Sequence, residues 1–182
     1  IHSADWPKAL DVDYIHDFNN EESCRLRAEG ILQVCMEESL SGKTFCDIGN
    51  DFHVKQAALS YGAVCSDFGE CDIVLAYDLL DHDVNTIQNI KSRLSKSGTA
   101  YVRAHPWYSR HATHVYRQIN KAYIHLFLSQ SEKLKLKLNE RYHRGVLDYR
   151  NMFKNSDLDL IYEYAYREKL EDFFNEEDEE YE

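Results

Sequence analysis

Apolar and polar positions alternate between two rhythms along this chain. Over residues 21–38 the apolar side chains Cys24, Leu26, Ala28, Ile31, Leu32, Val34, Cys35 and Met36 cluster mostly at three- and four-residue spacing, which predicts a helix capped by Asn19 or Asn20. Ser41-Gly42-Lys43 then makes a turn, and residues 44–48, Thr-Phe-Cys-Asp-Ile, form a short unalternating apolar run of the kind that fills a central strand covered on both faces. A second helix is predicted over 53–61, with Val54, Ala57, Ala58 and Tyr61 on one face and Gly62 just past its end. Strands are predicted over 63–68, 71–77 and 99–104, with an amphipathic helix over 83–94 that turns Val84, Ile87, Ile90 and Leu94 inward.

Further along, a helical stripe runs from Ser109 to about Ser129 through Val115, Ile119, Ala122, Tyr123 and Leu126. Residues 131–144 are charged and read as a surface helix or loop, and 146–154 read as a helix. Residues 158–166 alternate as an edge strand does, and 169–174 are either one more short strand or the start of a tail.

The spacing between the second and third predicted strands carries topological information. Only Gly69-Glu70 separates 63–68 from 71–77. A parallel crossover between neighbours takes a dozen or more residues, so these strands either flank the first strand on opposite sides or form a tight pair.

Composition narrows the function classes. A chain of 182 residues with 43% apolar content is long enough to bury one core, so a single domain over 1–170 is expected, with 1–40 as a helical segment packed on it. A net charge of −11 argues against a nonspecific grip on nucleic acid, which needs surplus Lys and Arg. Eight acidic residues and no basic ones lie between Glu171 and Glu182, the pattern of a solvated acidic tail or a docking peptide for a basic partner. Five cysteines without Cys-x-x-Cys spacing suggest reduced thiols in a cytoplasmic setting and no zinc site of that type, and no apolar run has the length of a membrane span.

Two stretches carry candidate chemistry. Asp47-Ile48-Gly49 ends an apolar strand and opens a helix, and Asp67 follows the next strand, an order used to hold nucleotide-like cofactors. The bland alternative is that both acids only cap the next helix. Asp78, Asp81 and His82 follow the third strand, at the end of the sheet where ligands bind in open α/β folds, and are acid/base candidates. Next comes His105-Pro106-Trp107-Tyr108-Ser109-Arg110-His111-Ala112-Thr113-His114-Val115-Tyr116, with three histidines in twelve residues. It reads as a substrate-recognition segment in which Trp107 stacks and Arg110 holds an anion, as an aromatic plug under the next helix, or as a metal site of His105, His111 and His114.

The succession of Asp-x-Gly after the first strand, an acid after the second, Cys71-Asp72-Ile73-Val74-Leu75-Ala76-Tyr77-Asp78, and then Leu94-Ser95-Lys96-Ser97-Gly98-Thr99 resembles the class I S-adenosylmethionine-dependent methyltransferases over roughly residues 21–174. The resemblance implies a Rossmann-like, mostly parallel sheet with helices on both faces and the family's third-strand region deleted between Phe68 and Cys71. It implies that Asp47, Gly49 and Asp67 hold S-adenosylmethionine, with Asp67 on the ribose. Asp78, His82, His105 and His111 would then act on an unknown acceptor recognised by Trp107, Arg110 and His114. Asn50, Asp51 and His53 stand where the family has further glycines, and Asp51 places bulk and charge at the carboxylate end of that pocket. A similar His-Pro-Trp segment in methyltransferase-like proteins of phages and other viruses implies a viral origin, in the host cytoplasm or a virion. The shortened sheet implies a bare edge that pairs with a second copy or a protein partner. A catalytically inactive relative serving as a structural subunit is the alternative.

Overall fold

The computed structural model of the chain describes residues 7–9, 19–35, 39–112, 115, 118–137 and 144–161. Four parallel strands make one sheet in the order β2-β1-β3-β4, where β1 is Thr44–Asp47, β2 Val64–Cys65, β3 Cys71–Tyr77 and β4 Leu94–Arg103. The fold is therefore α/β with an all-parallel sheet. β1 lies between β2 and β3, so the flanking arrangement is the one adopted, with Phe45 level with Cys65 on one side and Ile73 on the other.

Helices cover both faces, and the period-2 alternation of β1 and β3 explains how. Phe45, Ile73 and Leu75 point to the face covered by α1 (Glu21–Leu32) and α2 (Phe52–Ser60), where they pack with Ala28, Ile31, Leu32, Val54, Ala57 and Ala58. Cys46, Val74 and Ala76 point the other way and meet Ile90 of α3 (Thr86–Arg93). Burial of both faces accounts for the continuous apolar runs of these strands.

Asn20 caps α1, its side chain accepting from Ser23 N, and a short 3-10 turn at Gln33–Cys35 follows the helix. Asp51 caps α2.

Residues 66–70 must pass β1 to join β2 to β3. Five residues reach at most about 17 Å, against about 10 Å for two strand spacings, so the span is feasible without a helix. One side chain holds it. Arg93, the last residue of α3, donates from Nη2 to Ser66 O at 2.8 Å, from Nε to Gly69 O at 2.8 Å and from Nη1 to Asp67 O at 2.5 Å, and Nη2 lies 3.7 Å from Cys71 Sγ.

Several expectations are revised. The helix over 83–94 begins only at Thr86, because the Asp83 side chain accepts from Asn85 N in a turn, and Val84 is exposed rather than inward. β4 starts at Leu94 rather than Thr99, with an irregularity in which Cys71 pairs with Leu94 and Ile73 with Thr99, so residues 95–98 bulge opposite Asp72. The helix over 109–129 does not form among the described residues: turns run through this stretch to a 3-10 turn at Ile124–Leu126, and the left-handed Tyr123 (φ 54°) precludes continuous helix. The charged stretch holds only the short α4 (Gln130–Lys135), closed by a capping box between Ser129 and Glu132. α5 (Val146–Lys154) forms as expected.

Residues 158–161 are irregular rather than strand, although Leu158 packs beneath the sheet. The remainder of that expected strand, the 169–174 segment and the acidic tail lie outside the described residues. No helix among the described residues is long and apolar enough to cross a membrane.

Gly98 sits in the bulge where a Cβ would lie 2.8 Å from Cys71 O and 2.9 Å from Asp72 O. Backbone atoms cannot yield as a flexible side chain does, so Gly98→Ala is expected to cost about 1–3 kcal/mol. Urea denaturation of the variant beside the wild type measures this.

Candidate functional site

The carboxyl ends of β1 and β3 face each other where the chain departs to opposite sides of the sheet. Asp47 ends β1 and is buried; its Oδ1 accepts from Gly49 N at 3.0 Å and its Oδ2 from Asp51 N at 2.8 Å. Burial pushes this carboxyl above the ordinary Asp range, against the pull of those two N–H groups. Asp47 therefore shapes the loop from beneath. A Cβ on Gly49 would meet Asp47 Oδ1 at 3.3 Å and Leu79 Cδ1 at 3.7 Å, which puts this glycine against the turn that follows β3.

Asp51 is the N-cap of α2, accepting from His53 N at 2.9 Å and Val54 N at 3.2 Å through Oδ1, while Oδ2 accepts from Arg27 Nη1 of α1 at 2.7 Å. Burial alone would raise this carboxyl, but Arg27 and the helix N–H groups prevail and hold it below the ordinary value. Asp67 lies beyond β2, largely exposed, and pairs with Lys55 Nζ, which also reaches Asn50 Oδ1 at 2.5 Å. The hydrogen bond from Lys55 lowers the Asp67 pKa. Next to it Phe68 is 87% exposed.

A second cluster forms at the carboxyl ends of β3 and β4. Asp78 adopts φ 57°, a left-handed turn that aims its carboxylate back across the sheet end. Asp78 Oδ1 lies 3.2 Å from Arg103 Nε and 3.4 Å from His105 Nε2, and Arg103 Nη2 lies 3.1 Å from the same histidine nitrogen. The Arg103 guanidinium sits 4.5 Å from the centroid of the Tyr77 ring, a cation–π contact. Behind them Asp81 accepts the His105 main-chain N–H with both oxygens at 2.9 Å, and Tyr149 of α5 donates to Asp81 Oδ1 at 2.8 Å. Burial raises the Asp81 carboxyl above its ordinary range, and burial together with the Asp81 charge raises the Tyr149 phenol.

The structure thus brings Asp78, His105 and His111 together with Asp81, the two histidine rings lying edge to face at 5.9 Å. His82 is exposed, its N–H closing the turn on Leu79 O. Arg110 and Trp107, expected to recognise a substrate, and His111, expected to act on the acceptor, each make contacts within the protein. Arg110 donates to Lys8 O at 2.7 Å and His111 Nε2 to Ala9 O at 2.7 Å, so together they pin the 7–9 segment over this loop; burial depresses the His111 pKa. Trp107 meets His125 edge to face at 5.0 Å, its carbonyl accepts from His125 Nε2 at 2.6 Å, and Lys133 lies 5.9 Å over its ring. These contacts are of the packed, hydrogen-bonded kind that the aromatic-plug reading expects. His114 lies outside the described residues. No group of three or more metal-ligating side chains has the geometry to hold an ion among the described residues.

Arg103, Arg27, Arg93 and Tyr149 were not anticipated. Arg103 was findable, because it ends a strand on the ligand side of the sheet. Tyr149 gives no local signal, since it reaches Asp81 across 68 residues of sequence.

No protein-family model matches the chain, and neither a curated protein nor a solved structure shows significant similarity to it.

A carboxyl whose folded pKa is raised contributes stability that is present below its unfolded value, about 4, and is lost as pH rises through the folded value. Asp81 has that sign, as does Asp47. From about pH 4 upward the wild type is expected to lose stability more steeply than Asp81→Asn, which keeps only the Asp47 contribution. Chemical denaturation at a series of pH values reads the difference, and equal slopes would contradict the assignment.

Proposed function

We propose that the chain is a methyltransferase-type protein that binds S-adenosylmethionine at the switch point between β1 and β3 and acts on an acceptor held at the carboxyl ends of β3 and β4. The observation that carries this reading is the parallel order β2-β1-β3-β4, in which Gly49, Asp67 and Asp78 follow the carboxyl ends of neighbouring strands, the side on which open α/β sheets bind ligands. In this reading the missing neighbour of β2 is the strand the family has and this chain has lost. When bound, the cofactor supplies an electrophilic methyl group on a sulfonium.

The side chains present fit such a ligand. Asp67 offers two carboxylate oxygens to a ribose diol once Lys55 yields them, and the bare Phe68 ring beside it supplies an apolar face for a base. The partly buried Arg27–Asp51 pair is complementary to an α-amino-acid zwitterion, Arg27 toward the carboxylate and Asp51 toward the ammonium. Asp47 holds the loop open from below, and Gly49 leaves space beside Leu79. On the acceptor side, Asp78 and His105 are the groups able to move a proton, while Arg103 brings positive charge.

A second reading is favoured by one feature. Both oxygens of Asp51 are already engaged, by Arg27 and by α2, and Asp67 is paired with Lys55, so these carboxylates are satisfied without a ligand. In that reading the protein is an inactive relative serving as an interaction subunit, with the short β2 edge and the exposed Val64 and Phe68 facing a second copy or another protein.

Calorimetric titration separates the two. Saturable heat with S-adenosylmethionine and S-adenosylhomocysteine is expected, and Asp67→Asn is expected to weaken binding at least tenfold, about 1.4 kcal/mol. Absence of heat at millimolar ligand overturns the first reading in favour of the second.

A further inference from the structure

Arg103 and Asp78 make incompatible demands on one atom. Arg103 Nη2 approaches His105 Nε2 to 3.1 Å, and Asp78 Oδ1 lies 3.4 Å from the same nitrogen. A guanidinium has donors only, so the Arg103 contact requires a lone pair on Nε2; a carboxylate oxygen requires a proton there. One nitrogen cannot meet both at once. Taken as a hydrogen bond, the shorter contact puts the Nε2 lone pair toward Arg103 and the ring proton on Nδ1. Asp78 Oδ1 then faces a lone pair, and this buried oxygen makes ion-pair contacts without a well-formed hydrogen bond among the described residues.

Neighbouring groups hold the His105 main chain and flank its ring. Asp81 takes the His105 main-chain N–H, Tyr149 donates to Asp81 and lies 3.4 Å from His105 O, and His111 stands edge to face at 5.9 Å. His105 itself is buried, whereas the Arg103 side chain is 44% exposed and rests on Tyr77. Arg103 is thus the group that moves.

We propose that His105 Nε2 is the proton-accepting atom of the acceptor site, that Arg103 occupies its lone pair until a ligand arrives, and that the ligand is a neutral nucleophile bearing an ionisable O–H or N–H. The role of that nucleophile as a methyl acceptor rests on the reading given above. In the proton step the O–H or N–H bond breaks with its electron pair staying on the nucleophile, and a new N–H bond forms at Nε2. Arg103 has left Nε2 before this transfer while staying on the Tyr77 ring, and the resulting imidazolium donates to Asp78 Oδ1. Asp78 thereby acts on the charged ring, while Asp81 and Tyr149 are positioning residues.

Imidazole nitrogen NMR of the wild-type protein tests this without cofactor, so its outcome is separate from that of the calorimetry. At neutral pH His105 is expected as the Nδ1–H tautomer with an unprotonated Nε2, and Arg103→Met is expected to convert it to the Nε2–H form donating to Asp78. Millimolar phenol is expected to shift the wild-type Nε2 resonance, whereas anisole, the same ring without the O–H, is expected to leave it in place. A wild-type Nε2–H tautomer overturns the proposal, as does an equal response to phenol and anisole or no response to phenol. The wild-type measurements decide the matter even where Arg103→Met fails to fold.

Discussion

Everything in this molecule depends on β1 having a parallel neighbour on each side. Its four residues send Phe45 into one apolar layer and Cys46 into the other, so a strand too short to stand alone organises both cores. With β2 and β3 on opposite flanks, the loops after β1 and β3 leave the sheet end in different directions, and Gly49 lies against Leu79 where they start. Placing the flanks so close in sequence has a structural cost, since five residues must do what a crossover helix does elsewhere. Arg93 meets it by giving a linker without regular structure a set of hydrogen bonds that strand pairing would otherwise provide.

The polar groups at the sheet end fall into two sets with different electrostatic states. Around β1 and β2 the carboxylates are balanced: Arg27 answers Asp51, and Lys55 answers Asp67. Around β3 and β4 they are not. Asp78, Arg103 and His105 share contacts that no single protonation state satisfies, while burial raises the Asp81 carboxyl above its ordinary range. Folding tolerates such a conflict where the scaffold around it is rigid, and the Tyr149 and Asp81 bonds supply that rigidity. Strained polar groups are more informative about chemistry than satisfied ones, which is why the β3–β4 end bears the acceptor side of the proposed function.

The parts of this fold readable from the chain were those set by local periodicity. β1, α2, β3 and α5 appear near their expected positions because apolar spacing and caps decide them. The short spacer after Asp67 restricted the topology to two choices, and the flanking one is found. The stretch after Ser109 misled because its helical stripe of Val115, Ile119 and Ala122 serves a packed loop, in which Tyr123 turns left-handed and His125 is buried against Trp107. Site residues followed the same division. Asp47, Gly49, Asp67 and Asp78 were visible as strand-end residues, whereas the duties of Arg110 and His111 depend on carbonyls of Lys8 and Ala9, about a hundred residues away, which no motif encodes.

Arg93 also limits how this chain can vary. Its three nitrogens reach three different carbonyls in a fan that only a planar guanidinium provides, and a lysine would bring one nitrogen on a flexible stem to the same place. The usual conservative exchange of one base for another is therefore closed at this position. The short 66–70 link and its arginine therefore depend on each other, and lengthening that link would be the change that frees both.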